Sequence, residues 1–131
     1  MLISLSGIDG CGKTLQVNML EAWLQKIGRS CIITKAYDDM AKVILRPYME
    51  TWTDDAAIMF LFQALHAQQH AVTVKALSEG HVVIADRWDE SYFAYHENFG
   101  FLSKYPMIRD QLNSLAFHDQ KPDVGFVIEV P

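Results

Sequence analysis

Gly7-Ile8-Asp9-Gly10-Cys11-Gly12-Lys13-Thr14 is the stretch that most constrains this chain. It follows a compact apolar run, Leu2 to Ser6, and precedes Leu15, Val17, Leu20, Trp23, Leu24 and Ile27 at roughly helical spacing. A strand that turns through glycines straight into a helix aims the turn's backbone N–H groups inward. The helix adds its positive dipole end, so the turn becomes a cradle for anions. The residues fit G-x-x-x-x-G-K-[ST], in which the Lys ammonium reaches the β and γ phosphates of a nucleotide and the next hydroxyl ligates Mg²⁺. Gly7, Asp9, Gly10, Cys11, Gly12, Lys13 and Thr14 are therefore the expected ATP-binding residues, with Thr14 on Mg²⁺.

The rest of the chain repeats this strand–helix alternation. Gly28 stops the first helix, and Cys31 to Thr34 reads as a second strand. Met40 to Met49 is predicted as a short helix broken near Pro47. Asp54 is the expected N-cap of a long helix that ends before Gly80. His81 to Asp86 is a third strand, Ser91 is the expected cap of the next helix, and Tyr105-Pro106 opens another toward Phe117. Val124 to Val130 is a fourth strand. Strands alternating with helices predict an α/β fold of the P-loop NTPase type, a three-layer sandwich with a parallel sheet and helices on both faces. Residues 1–131 read as one domain. The chain stops at Pro131, directly after a strand that in such a fold feeds another helix, so the domain is expected to be truncated at its C-terminus, the alternative being a minimal four-stranded version.

Charge narrows the partners. The net charge is −5 and no run of Lys or Arg occurs, which argues against nucleic acid and anionic membranes, where binding needs clustered cations. A nucleotide needs only a few placed cations. Cys11 and Cys31 have neither metal-ligand nor disulfide spacing and are expected as reduced thiols of a cytoplasmic protein. No stretch reaches the ~18 apolar residues of a membrane span, and the short N-terminal run lacks the basic segment of a signal peptide.

A second acidic site lies at the end of Val82-Val83-Ile84-Ala85-Asp86, with Arg87 directly after it. A guanine-nucleotide switch would carry D-x-x-G here and N-K-x-D later, and the sequence has neither. Asp86 suits a metal ion or an acceptor group, and Arg87 suits bidentate binding of a phosphate, so a phosphorylated acceptor is expected.

Three segments together resemble the thymidylate kinase family. Gly7 to Gln16 is similar to its G-x-[DE]-G-x-G-K-[ST]-T-Q opening. Asp86-Arg87-Trp88, with Ser91 and Ala94-Tyr95, is similar to D-R-[YHW]-x-x-S-x-x-A-[YF]. Lys121-Pro122-Asp123-Val124 and the strand to Glu129 resemble [KR]-P-D-L-x-[ILV]-x-L-D. The resemblance implies a nucleoside monophosphate kinase that moves the γ-phosphoryl of Mg-ATP to a deoxynucleotide monophosphate, dTMP first. The alternatives are a deoxynucleoside kinase and a nucleotide-binding module without catalysis. Lys13, Asp86 and Arg87 would be catalytic, with Asp86 beside Thr14 at the metal. Asp9 would hold the acceptor's 3′-hydroxyl and Arg87 its phosphate. Phe62 would stack on the base, Ser91 and Tyr95 would line the sugar and base side, and a homodimer would be expected.

Several residues depart from the family pattern. His66 stands where an Arg usually reads thymine. Lys35-Ala36-Tyr37-Asp38-Asp39-Met40 replaces R-E-P-G-G-T, leaving Lys35 as a point charge in place of an arginine fork. Gly10 and Cys11 occupy positions where some members carry a catalytic Arg, and the family's lid lies beyond Pro131. Glu129 replaces an Asp. His66 and His70 have zinc-like i, i+4 spacing but no third ligand in sequence, so they read as ordinary helix histidines.

Overall fold

A computed structural model describes residues 1–98 and 100–131. Four strands, β1 (Leu2–Gly7), β2 (Cys31–Thr34), β3 (Val82–Asp86) and β4 (Val124–Ile128), form one sheet in the order β2-β3-β1-β4. Every neighbouring pair is parallel. Among the described residues five α-helices connect them: α1 (Lys13–Lys26), α2 (Asp39–Thr51), α3 (Asp55–Ser78), α4 (Asp89–Asn98) and α5 (Pro106–Phe117). The connection from β1 runs toward β2, whereas that from β3 runs the other way, past β1 to β4, so connections leave these two neighbouring strands in opposite directions. In open α/β sheets such a switch point opens a crevice at the C-terminal strand ends, where ligands bind.

Alternation along the strands sorts the core into two layers. Ile3, Leu5, Val82 and Ile84 pack on Val17 and Leu24 of α1. Leu2, Val83 and Ala85 face the opposite way, toward Met59 and Ala76 of α3 and Ala116 and Phe117 of α5. Trp88, Tyr92 and Phe117 are the largest fully buried side chains; Trp88 and Phe117 meet edge-on with centroids 5.0 Å apart. β3 is buried along its whole length, as expected for a strand covered on both faces.

The predicted fold class is observed, with three local differences. α2 runs unbroken through Pro47. A proline inside a helix leaves the carbonyl four residues earlier without its donor; here that is the carbonyl of Val43, a residue 79 % exposed. α4 begins at Asp89, so Ser91 lies inside the helix rather than capping it. A 3₁₀ turn over Phe101–Lys104, not anticipated from sequence, leads into α5. Asp54 does cap α3, its Oδ1 accepting the Ala57 N–H at 3.0 Å. The Lys121-Pro122-Asp123 segment fastens the sheet: Asp123 Oδ2 accepts the Leu2 N–H at 2.7 Å, and Lys121 pairs with buried Asp89.

Candidate active site at the ends of β1 and β3

The loop after β1 is shaped by what its glycines permit. A Cβ on Gly7 would lie 2.7 Å from Cys11 Sγ and 2.8 Å from the Ile128 carbonyl, so only glycine fits between the loop and β4. Cys11 is buried and fills the space beneath the turn. Gly12, at φ 87°, is the N-cap of α1 in the left-handed region that glycine enters without steric penalty. Among the described residues no side chain caps α1, and no acidic residue stands in its first turn. The first-turn N–H groups, which have no intrahelical acceptors, are left for an anion.

Lys13 is buried although it is charged, because its ammonium folds back to within 3.6 Å of Asp86 Oδ1. Asp86, the last residue of β3, is 6 % exposed. Parallel pairing of β1 with β3, which sets Leu5 beside Asp86, brings this carboxylate next to the loop. A third charge joins them: Lys35, just past β2, has its ammonium 3.1 Å from Asp86 Oδ2. Sequence reading gave Lys35 only the place of a missing arginine; its contact with Asp86 depends on the β2–β3 pairing.

Arg87 adopts φ 70°, a left-handed conformation that costs a non-glycine residue roughly 1–2 kcal/mol. Its backbone is held from both sides. The Arg87 N–H donates to the Leu5 carbonyl at 2.9 Å, and Gln69 Nε2 donates to the Arg87 carbonyl at 3.0 Å. From this turn the guanidinium reaches over the loop, and Nη2 donates to Asp9 Oδ1 at 2.7 Å. Lys13, Asp86, Arg87 and Asp9 thus come together at the C-terminal ends of β1 and β3.

The remaining candidates are placed differently. Phe62 on α3 is partly buried, its ring 5.9 Å from Tyr37, a residue the sequence reading left without a role. His66, one turn further on, packs its ring against Tyr92 and Phe117 at 5.5 and 5.3 Å. The residue is partly buried, and Nδ1 is sealed and makes no hydrogen bond among the described residues. Burial, with a smaller contribution from His96, pushes its pKa down to about 4, so His66 is uncharged near neutral pH. Ser91 Oγ donates to Ser6 Oγ at 3.1 Å, and Ser6 Oγ donates to Glu90 Oε1 at 2.6 Å. That chain ties α4 to the strand that carries the loop, a use of Ser6 and Glu90 with no sequence signature. Tyr95 is exposed, with its ring edge-on to His96.

The donor set fits Mg²⁺. Asp86 Oδ1 is buried without a hydrogen-bond partner among the described residues, and Thr14 stands exposed in the first turn of α1. No three His, Cys, Asp or Glu side chains converge as a metal cage among the described residues. A magnesium ion commonly uses one or two carboxylates and fills its shell with phosphate oxygens and water.

This loop, in this sheet order, defines a P-loop kinase-type α/β protein. The sequence model of the family described as thymidylate kinase matches residues 5–131, and the chain belongs to that family. It is 33 % identical to the thymidylate kinase of Trichlorobacter lovleyi, over all of this chain and 64 % of that protein. It is 34 % identical to the probable thymidylate kinase of Pyrococcus horikoshii, over 98 % of this chain and 64 % of the relative. The crystal structure of thymidylate kinase from Ehrlichia chaffeensis superposes with a TM-score of 0.79 at 27 % identity, covering this whole chain and 77 % of that one. The chain thus spans a little under two thirds of the length of these curated relatives.

Proposed function

We propose that the protein transfers the γ-phosphoryl of Mg-ATP to a nucleoside monophosphate, dTMP first among them. The observation that carries this reading is the meeting of Lys13, Asp86, Arg87 and Asp9 over the glycine loop. In this reading the open N–H groups of the loop and the Lys13 ammonium bind the donor phosphates. Thr14 and Asp86 Oδ1 hold the metal. Bound Mg²⁺ neutralises charge on the β and γ phosphates. Arg87 exchanges Asp9 for the acceptor's phosphate, which frees the Asp9 carboxylate to accept the sugar 3′-hydroxyl. An arginine fork poised over the loop favours a phosphorylated acceptor over a nucleoside.

In this reading Phe62, with Tyr37 beside it, stacks on the base, and Ser91 and Tyr95 of α4 line the sugar and base side. His66, being neutral, offers at most a ring N–H or lone pair to a base edge, unlike an arginine. No helix among the described residues is long and apolar enough to cross a membrane. The reading places the protein in the cytoplasm. It includes a homodimer, for which the exposed Met40, Val43, Ile44 and Tyr48 of α2 supply apolar surface.

The test is ADP release by the full chain with Mg-ATP and a panel of nucleosides and monophosphates. Turnover with dTMP and none with thymidine is expected. Turnover with thymidine alone would replace the reading with a nucleoside kinase; Mg-ATP binding without acceptor-dependent ADP release would reduce it to a binding module.

A further inference from the structure

Asp86 carries two cations where charge balance requires one. Lys13 faces Oδ1 at 3.6 Å and Lys35 faces Oδ2 at 3.1 Å. The carboxylate is nearly sealed from solvent, at 7 % side-chain exposure, whereas Lys35 retains 34 %. The two lysines differ in attachment. Lys13 begins α1 at the loop itself, and a polyphosphate in that loop competes with Asp86 for its ammonium. Lys35 extends from β2, which is pinned to β3 through Thr34 opposite Ala85. A buried carboxylate that loses its only cation is strongly destabilised. With Lys13 alone, nucleotide binding would carry that penalty. With Lys35 in place, Asp86 keeps a partner after Lys13 turns to the phosphates.

The two oxygens are also unequal. Oδ1 has no hydrogen-bond partner among the described residues, and Oδ2 has Lys35. The ion pair therefore fixes which oxygen is anchored and leaves the other facing the loop. We propose that Lys35 is a positioning residue, resting on the phosphoryl-transfer reading above: it anchors Asp86 through Oδ2, so that Oδ1 is oriented for Mg²⁺ and Lys13 is free for the donor phosphates. Lys35, Asp86, Thr14 and Gln69 share the wall of a cleft of about 850 Å³ between α2 and α3, so a direct contact of Lys35 with an acceptor phosphate is the competing role.

Lys35→Met and Lys35→Arg separate the two in the full chain. Fluorescent ATP analogue binding is titrated with Mg²⁺, and kcat and KM for the monophosphate are measured alongside. Lys35→Met is expected to raise the Mg²⁺ concentration for half-maximal binding roughly tenfold and to lower kcat by a similar factor, the range seen when an outer-shell partner of a metal ligand is removed. Nucleotide affinity without Mg²⁺ falls as well, because Asp86 then keeps no cation once Lys13 turns to the phosphates, whereas KM for the monophosphate is unchanged. Lys35→Arg restores most of the Mg²⁺ dependence. In an Asp86→Asn background, Lys35→Met adds no further shift. Lys35→Gln carries the same expectation as Lys35→Met if the methionine variant does not fold. A raised KM for the monophosphate with an unmoved Mg²⁺ midpoint would overturn the proposal in favour of an acceptor contact, and no change in either would overturn it outright. The binding arm needs no turnover: a chain without transfer activity would sink the kinase reading, and the Mg²⁺ midpoint would still judge Lys35.

Discussion

The two ends of the site hold polar groups in opposite ways. At the phosphate end, Lys13, Asp86 and Lys35 are packed as charges paired with one another from two strands and a helix. At the α3–α4–α5 end, Gln63, His66, Tyr92 and His96 are packed as neutral groups among aromatic rings. Gln63 Nε2 donates to Tyr92 Oη, which donates to the Arg109 carbonyl, each at 3.2 Å. Burial lowers the pKa of His66 and His96 and raises that of Tyr92, in each case favouring the uncharged form. The difference shows how one small fold separates tasks. Charges sit at strand ends, where a ligand can reach them, and groups held uncharged sit between helices.

The largest effect should come from breaking the charged end. Lys13→Ala removes the cation that serves both Asp86 and the donor phosphates, and kcat should fall by roughly 10³ or more. Isothermal titration should show Mg-ATP affinity lost in the same variant; unchanged affinity would remove the loop assignment. The neutral end should respond to acid instead. Folded His66 takes its proton near pH 4, while the unfolded chain takes it near 6.5, so between those values unfolding binds the extra proton. Its contribution is whole above about pH 6.5 and is lost as the pH falls toward 4, amounting to about 2 kcal/mol at pH 5. Chemical denaturation at pH 7.5 and pH 5 checks this, and His66→Leu should flatten the difference.

A smaller effect tests the turn between the two ends. Arg87→Gly relieves the left-handed backbone and should be about 1 kcal/mol more stable than Arg87→Ala, while both lose turnover with a monophosphate. Equal stabilities would show that the turn stores no strain. Smallest of all is the Asp9–Arg87 pair, whose carboxylate is 99 % exposed. Asp9→Asn should leave the unfolding midpoint where it is and change only acceptor kinetics, because exposed ion pairs contribute little to stability.

What the sequence disclosed follows the range of the interactions. β1, the glycine loop and α1 were legible because strand alternation, glycine spacing and helical periodicity are encoded within a few residues. The Asp54 cap belongs to the same class. The Asp86-Arg87 pair was legible as chemistry, but its geometry was not: φ at Arg87 is imposed by Leu5 and Gln69, far away in sequence. Ser91 reads locally as a cap, yet its hydroxyl is taken by Ser6 across 85 residues. Lys35 reads as a poor arginine until strand pairing sets it on Asp86. His66 carries no mark in sequence that it is neutral, since its state is decided by Tyr92, Phe117 and His96 closing around it.

The missing side chain at Gly7 joins the nucleotide loop to the far edge of the sheet. With the Ile128 carbonyl and Cys11 Sγ packed into the space a methyl group would need, the first residue of the loop cannot rise or sink unless β4 yields. Substitutions along Val127–Ile128, remote from any phosphate, are thereby expected to retune nucleotide affinity mechanically, and whatever braces that outer strand also sets the height of the cradle floor.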